Sequence, residues 1–581
     1  MRKYSNMKYL TLLLVAVMLS GSLMAQVDNN TLEEQTVVIY NEYSPVLKDA
    51  SRIQSLPVIV DTMNVEPKFD YSVMPTMYRT TFTPAKIPAA TVKGEALAPL
   101  NTGFVKLGYG NYISPFAELY INSKRQKNYS LGISAHHHSS FGKIKNYLNQ
   151  KIYSGYDDSR VEAFGKKLFA KSVLSGKIYF SSNGVCYYGY DPKVYGNTDT
   201  INWDVFDYVD TRDEVEKQRF SRVGANMAFE SQQTGRKHWN YKFGLGYQYF
   251  FTKTKDWQHK VDAVVNFGRS VKNISYGVDI NYLFNANKIS WVNNTNNDMF
   301  INPEPYFRFE NEKWNVKAGA KLVYSASCNK KFYIYPDLYA QLNISNTLLP
   351  YISYGGHLEN NNLEYLSTIN PFVISFPYVN TSYQHEANLG IKAIISKKVY
   401  LQINANYSHI DQMVFFVNDT LEPLHNKFKM EYMDVDRVGA YAELSMRELA
   451  PGLDILLKAR YYYYLKLADV NTHNAIADAR PWQMPDLDIS LRASYRLTNK
   501  ISFGVEGYFL NKCYAKEYVE GVQYAKKMKA VVDVNLFGEY KFDDNFSAFL
   551  YLNNIACQRY YIWNNYRAQG FNALIGLTYI F

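Results

Sequence analysis

The chain has 581 residues, a formal charge of +10, 47% apolar residues and 20% charged residues. This balance excludes a disordered chain, and the absence of a long Lys/Arg run gives no reason to expect nucleic acid as a partner. Past the N-terminus no stretch offers the ~18–20 consecutive apolar residues of a spanning helix, which excludes a helical membrane protein.

Residues 1–25 read as a secretory signal peptide. Arg2, Lys3 and Lys8 form the positive start, Tyr9 to Leu19 form a short apolar core, and small residues lead to cleavage after Ala25. Without a Cys after that core, a lipoprotein anchor is not expected. Residues 26–100 carry Pro45, Pro57, Pro67, Pro75, Pro84, Pro88 and Pro99, which interrupt any long helix or strand. They predict an extended periplasmic segment that lies along a partner surface or tucks into a cavity.

From Gly103 the pattern changes to alternation. Tyr241, Phe243, Leu245, Tyr247 and Tyr249 alternate with Lys242, Gly244, Gly246 and Gln248. Ile274 to Tyr282, Trp314 to Tyr324, Val399 to Tyr407 and Ile489 to Tyr495 repeat the theme. A period of two puts the apolar residues on one face of a strand. A soluble sandwich alternates too, so three further features matter. Many of the strands exceed the ~9–11 residues of a tilted membrane strand. Aromatic residues end the apolar faces, as interfacial girdles require. Connections alternate between short turns (Asn311–Lys313, Ser396–Lys398, Thr498–Lys500, Asp543–Asn545) and long loops (Ser139–Asp157, Gly189–Gln218, Asn287–Phe300, Glu359–Tyr383, Ala468–Asp486). A strand in lipid cannot leave backbone groups unpaired, so the sheet must close. The prediction is all-β: residues 101–581 form a transmembrane antiparallel barrel of roughly 20–22 strands, within a range of 16–22, in the bacterial outer membrane. The turn within Arg160–Tyr190 is not legible.

The last strand puts Phe571, Ala573, Ile575, Leu577, Tyr579 and Phe581 on one face and ends the chain. Leu577-Thr578-Tyr579-Ile580-Phe581 resembles the C-terminal signature of bacterial outer-membrane barrels, which implies that Tyr579 and Phe581 are read by the barrel-assembly machinery. Thr36 to Pro45, Asp49 to Ile53, Leu56-Pro57, Asp61-Thr62 and Val105 to Tyr112 resemble Bacteroidetes barrel proteins of the TonB-dependent-receptor-like type. Glu34-Gln35-Thr36-Val37-Val38 also looks like a TonB box, which implies that Thr36, Val37, Val38 and Ile39 lend a strand to a periplasmic partner through main-chain hydrogen bonds. A full receptor of that kind carries a plug of about the size of an ordinary ~150-residue domain. About 75 residues precede the first strand here, so a plug-less barrel is expected.

Other constellations are weaker. His136-His137-His138, placed where an early strand meets a loop, alternate faces within a strand and so make a poor single metal site. His259, His357, His385 and His425 are read at loops and turns, and no spacing marks a catalytic triad, so neither enzyme, metal nor cofactor is expected. Of Cys186, Cys328, Cys513 and Cys557, none forms a C-x-x-C. Cys513 and Cys557 are read on second-neighbour strands about 9–10 Å apart, beyond disulfide reach, so free thiols are expected. Tyr461 to Tyr464 split between girdle and lumen. Lys458, Arg460, Arg492, Arg496, Glu506, Asp533 and Glu539 fall on the presumed lumen face, as cross-strand ion pairs or as a charged constriction. Two functions remain open. One is a channel or transport conduit. The other is a non-conducting accessory subunit of an outer-membrane complex, such as barrel-assembly or surface-export machinery. Expected partners are outer-membrane lipid, the barrel-assembly machinery and proteins met through the N-terminal segment.

Overall fold

The computed structural model describes residues 101–581 apart from 125, 146–150, 191–215, 233–237, 292–294, 327–330, 376–378, 422–423, 477 and 520–521. Thr36, Val37, Val38, Ile39 and Cys328 lie outside the described residues, as do the signal sequence and the Pro-rich segment.

Twenty-two strands form one antiparallel sheet. Each strand pairs with its neighbours in the chain, and the first, Gly103–Gly110, pairs with the last, Asn572–Ile580, from Phe104↔Ile580 to Gly110↔Leu574. That seam closes the barrel, so no strand edge is left to face lipid. The backbones come close there. A Cβ at Gly576, opposite Gly108, would lie 2.2 Å from the Leu107 carbonyl oxygen.

Alternation decides which face meets lipid. Leu245, Ile178 and Ile575 point outward and are 54%, 62% and 65% exposed. Their neighbours on the other face point into the lumen. Two aromatic groups bound the outward band on the Trp239–Thr252 and Trp257–Val271 strands. At one end Trp239 stacks on Phe267 at 4.6 Å, meets Tyr276 edge-on at 6.3 Å, and carries the Arg269 guanidinium at 5.5 Å. At the other end His259 packs against Tyr249 at 4.8 Å and Trp257 at 4.9 Å. Ten residues separate Trp239 from Tyr249, about 33 Å along a strand. A tilt of ~40° turns this into a height of ~25 Å, the apolar band of an outer-membrane barrel.

Connections at the end holding Gly103 and Ile580 are short. Several follow one local device, a side-chain oxygen that accepts two successive backbone N–H groups. Asn311 Oδ1 accepts from Lys313 at 2.9 Å and Trp314 at 2.6 Å. Thr498 Oγ1 accepts from Lys500 and Ile501, and Asp543 Oδ1 from Asn545 and Phe546. These Asx- and Ser/Thr-type turns reverse the chain in few residues. By the rule that short turns face the periplasm, the long connections lie outside.

Several expectations need correction. The 287–300 loop is shorter than read, because one strand runs to Lys288 and the next starts at Thr295. The illegible turn lies between Leu168 and Ser172. His136, His137 and His138 lie inside the Tyr129–Ser140 strand rather than at a loop start. His136 faces Glu118 across the lumen wall at 3.2 Å, while His137 turns to Ser159 on the outer face at 2.8 Å. His259, His357 and His385 sit in strands, and only His425 of that group sits in a loop. Cys513 and Cys557 lie in loops, not on strands, and both are free thiols.

Candidate functional site

The lumen wall is polar and cross-linked. Lys317 lies between Glu304, at 2.8 Å, and Asp337. Lys106 donates to the Tyr551 hydroxyl at 2.7 Å and sits 4.4 Å from the centre of the Phe549 ring. The register places Lys458, Arg460, Arg492, Arg496, Glu506, Asp533 and Glu539 on this same face. They are not gathered into one ring. Arg492 pairs with Glu506, and Lys458 lies 3.6 Å from Glu443. Arg460 lies opposite Asp488. Asp533 accepts from the Tyr560 hydroxyl at 2.7 Å, and Glu539 is 9% exposed. Arg496 ends its strand beside the inner turn. Tyr461 and Tyr463 face outward, at 42% and 55% exposure, while Tyr462 and Tyr464 turn inward. Tyr579 is half exposed on the lipid face, and Phe581 follows the last strand with its ring 6.2 Å from that of Tyr579.

The most organised region is elsewhere, at the outer mouth. Four clusters of buried apolar side chains form there, built from outer loops and the upper strand ends. The 360–381 loop holds the helix Leu363–Ile369, capped by Asn362, whose side chain accepts from the Tyr365 N–H at 2.9 Å. Its buried face carries Leu363 and Leu366. Leu363 packs against Phe220, Phe250 and Ile289, and Leu366 joins Tyr187, Phe372, Phe416, Phe428 and Tyr566. Phe372 and Tyr566 stack with ring centres 3.5 Å apart. Tyr566 is fully buried and donates to the Asn426 carbonyl, and burial pushes its phenol well above the usual range, so it remains a donor.

The 360–381 and 554–571 loops that meet here leave the wall eight strands apart. A 22-strand barrel with ~4.8 Å spacing and ~40° tilt is roughly 44 Å across, so their roots are ~40 Å apart. Polar contacts reinforce the crossing. Asn426 Nδ2 donates to the Tyr187 carbonyl at 2.8 Å, and Asn564 Nδ2 donates to Asn418 at 2.9 Å and to Glu517 at 3.0 Å. Lys516 pairs with Glu431 at 2.8 Å. Ser375 Oγ donates at 2.8 Å to Asp256, a buried carboxylate in the outer turn before the Trp257–Val271 strand that also accepts from the Ser290 N–H at 2.9 Å. The loops thus interlock as a lid with apolar clusters at its core.

Sequence reasoning missed this lid, although one signal was present. Val399–Asn418 and Phe428–Met446, at 20 and 19 residues, run well past the band. A bulge between Ile410 and Met413, with Gln412 at φ 57°, breaks the register. Beyond it the run Met413-Val414-Phe415-Phe416-Val417 stops alternating. Phe415 and Val417 pack with Trp482 on one side, and Phe416 with Tyr566 on the other. A continuous apolar run is the mark of a strand covered on both faces. Among the described residues no group of three or more His, Cys, Asp or Glu side chains has metal-holding geometry.

No family model and no curated protein matches the sequence. Solved structures do match. The FrpB iron transporter of Neisseria meningitidis has a TM-score of 0.61 and 11% identity, over 83% of this chain and 82% of that one. The ferric-catecholate import receptor Fiu of E. coli K12 has a TM-score of 0.59 and 10% identity, over 83% and 82%. The pyoverdine outer membrane receptor FpvA of Pseudomonas aeruginosa, bound to pyoverdine, has a TM-score of 0.60 and 13% identity, over 84% and 79%. The closed sheet, the lipid-facing band and this likeness together make the chain an outer-membrane β-barrel with the fold of bacterial transport receptors.

Proposed function

We propose that the protein is a conduit of the TonB-dependent-receptor-like type whose outer mouth is held shut by its own folded loops. The lid is the observation that carries this reading. A barrel serving only as a scaffold has no need to seal a polar lumen with an aromatic core fed by loops from opposite walls. The lumen charges Lys458, Arg460, Arg492, Arg496, Glu506, Asp533 and Glu539 would tune passage, with the paired ones mainly stiffening the wall. The Pro-rich segment, residues 26–100, would dock periplasmic partners and act as a partial stopper in a barrel without a full plug. Thr36 to Ile39 would offer the strand that an energy-coupling partner takes up. Tyr579 and Phe581 would serve the assembly machinery.

Planar-bilayer conductance tests the proposal. Wild-type protein should be nearly silent, and Tyr566→Ala, which removes the central lid ring, should open discrete ion-conducting steps. A silent Tyr566→Ala barrel that still migrates as a folded species would overturn it and favour the accessory-subunit reading.

A further inference from the structure

The helix is fastened to the wall by ionic contacts that converge on Glu364. Arg222, on the Lys217–Ser231 strand, donates from Nε to Glu364 Oε1 at 3.1 Å and from Nη2 to Thr368 Oγ1 at 2.9 Å. Lys260, two strands away on the same face, reaches Glu364 Oε2 at 3.9 Å. Gln258 Oε1 accepts from the Glu364 N–H at 3.2 Å. The Arg222 and Glu364 side chains are only 14% and 17% exposed, so the pair is shielded from water.

The wall half of this contact is fixed without the helix. Arg222 Nη1 donates to Asn183 Oδ1 at 2.8 Å, and its guanidinium lies 5.4 Å from the centre of the Phe250 ring. Asn183 and Phe250 both belong to wall strands. With the helix withdrawn, the guanidinium therefore keeps its orientation, and Nε and Nη2 present two donors to the lumen. Wall carboxylates flank the site: Asp158 accepts from the Asn183 amide at 2.7 Å, and Asp262 lies against Gly246. A planar guanidinium with a nearby ammonium is built to take a carboxylate.

We propose that Arg222 and Lys260 form a binding site for a carboxylate-bearing solute, and that Glu364 occupies it as an internal substitute until such a solute displaces it and frees the lid helix. The inference rests on the conduit reading and adds the ligand class and the release step. Removing one buried partner unbalances the contact. An incoming carboxylate avoids this by leaving Arg222 and Lys260 paired throughout, while Glu364 moves out to water.

Succinate is the probe, and succinamide of the same size but without charge is the control. Hydrogen–deuterium exchange of the peptide covering Leu363–Ile369 is followed in the full-length barrel in lipid nanodiscs. Succinate should speed this exchange and succinamide should not. Glu364→Gln should exchange about tenfold faster without any probe, the worth of one charge-assisted bond, and gain little more from succinate. Lys260→Gln, which spares the Arg222 contact, should shift the half-response to higher succinate. A reporter thiol from Ser367→Cys, read by maleimide labelling, provides a second measure. Equal responses to succinate and succinamide, or no response in either assay, would overturn the site. So would a Glu364→Gln helix as protected as the parent. This readout does not depend on current, so a failed conductance test refutes the conduit and leaves the carboxylate site to stand or fall by itself.

Discussion

Ala263 and Val264 are adjacent residues on one wall strand, and they ought to respond to the same substitution in opposite ways. Ala263 lies opposite Leu245 on the lipid face, and Val264 lies opposite Gly244 on the lumen face. Leu245 is six residues above Trp239 in the strand. That is about 20 Å of chain, or ~15 Å of height in a band of ~25 Å, close to mid-membrane. Arg at such a depth on the lipid face costs about 2–4 kcal/mol. Ala263→Arg should therefore lower the folding equilibrium constant by about 30- to 900-fold. Val264→Arg enters a polar lumen, where the Cβ position of Gly244 opposite lies 3.7 Å from Val264 Cβ with only Val264 atoms near it, so the added length has room and the cost should stay below about 1 kcal/mol. Urea-driven unfolding from lipid vesicles, followed by Trp fluorescence, measures both. Equal costs for the two variants, or a neutral Ala263→Arg, would show that the assignment of faces is wrong.

Three further outcomes follow from the same geometry. Asn362→Ala removes the cap of the lid helix and should destabilise that helix by about 1 kcal/mol, seen as faster amide exchange at Leu363–Ile369 with an unchanged barrel melting point. Burial pushes the Cys513 thiol up to about 11, so its thiolate is scarce at neutral pH. The exposed Cys557 should be alkylated first at pH 8, and Cys513 should gain rate only as the pH approaches 11, as peptide mass spectrometry would show. Phe581→Ala should slow insertion into vesicles in the presence of assembly machinery more than in its absence, and equal slowing would argue against a recognition role.

The barrel was legible because lipid imposes one rule on every strand. Alternation through the strands that carry Ile178, Leu245 and Ile575 needs no knowledge of partners, and side-chain-capped turns at Asn311, Thr498 and Asp543 show directly in the residue types. The strand count was harder where a turn lacks the Gly, Pro, Asn and Asp residues that mark one, as at Phe169-Ala170-Lys171. The lid was not legible for a different reason. Its contacts join Tyr187, Phe372, Phe416 and Tyr566, which are far apart in the chain and carry no shared period. Only Met413 to Val417 betrays it, by failing to alternate. The histidines misled because a strand that extends past the membrane can carry polar residues on both faces, as His136 and His137 do.

The seam between Gly103–Gly110 and Asn572–Ile580 joins residues more than 460 positions apart through seven pairs. Ring closure over such a span carries a large entropic penalty and rewards it late. A polypeptide cut short during synthesis, or clipped near its end, therefore keeps two open edges rather than forming a smaller cylinder. Half a ring has no stable resting place in the bilayer. Cellular proteases would meet such a fragment as an unfinished sheet, so abundance in the membrane becomes a direct readout of full-length translation.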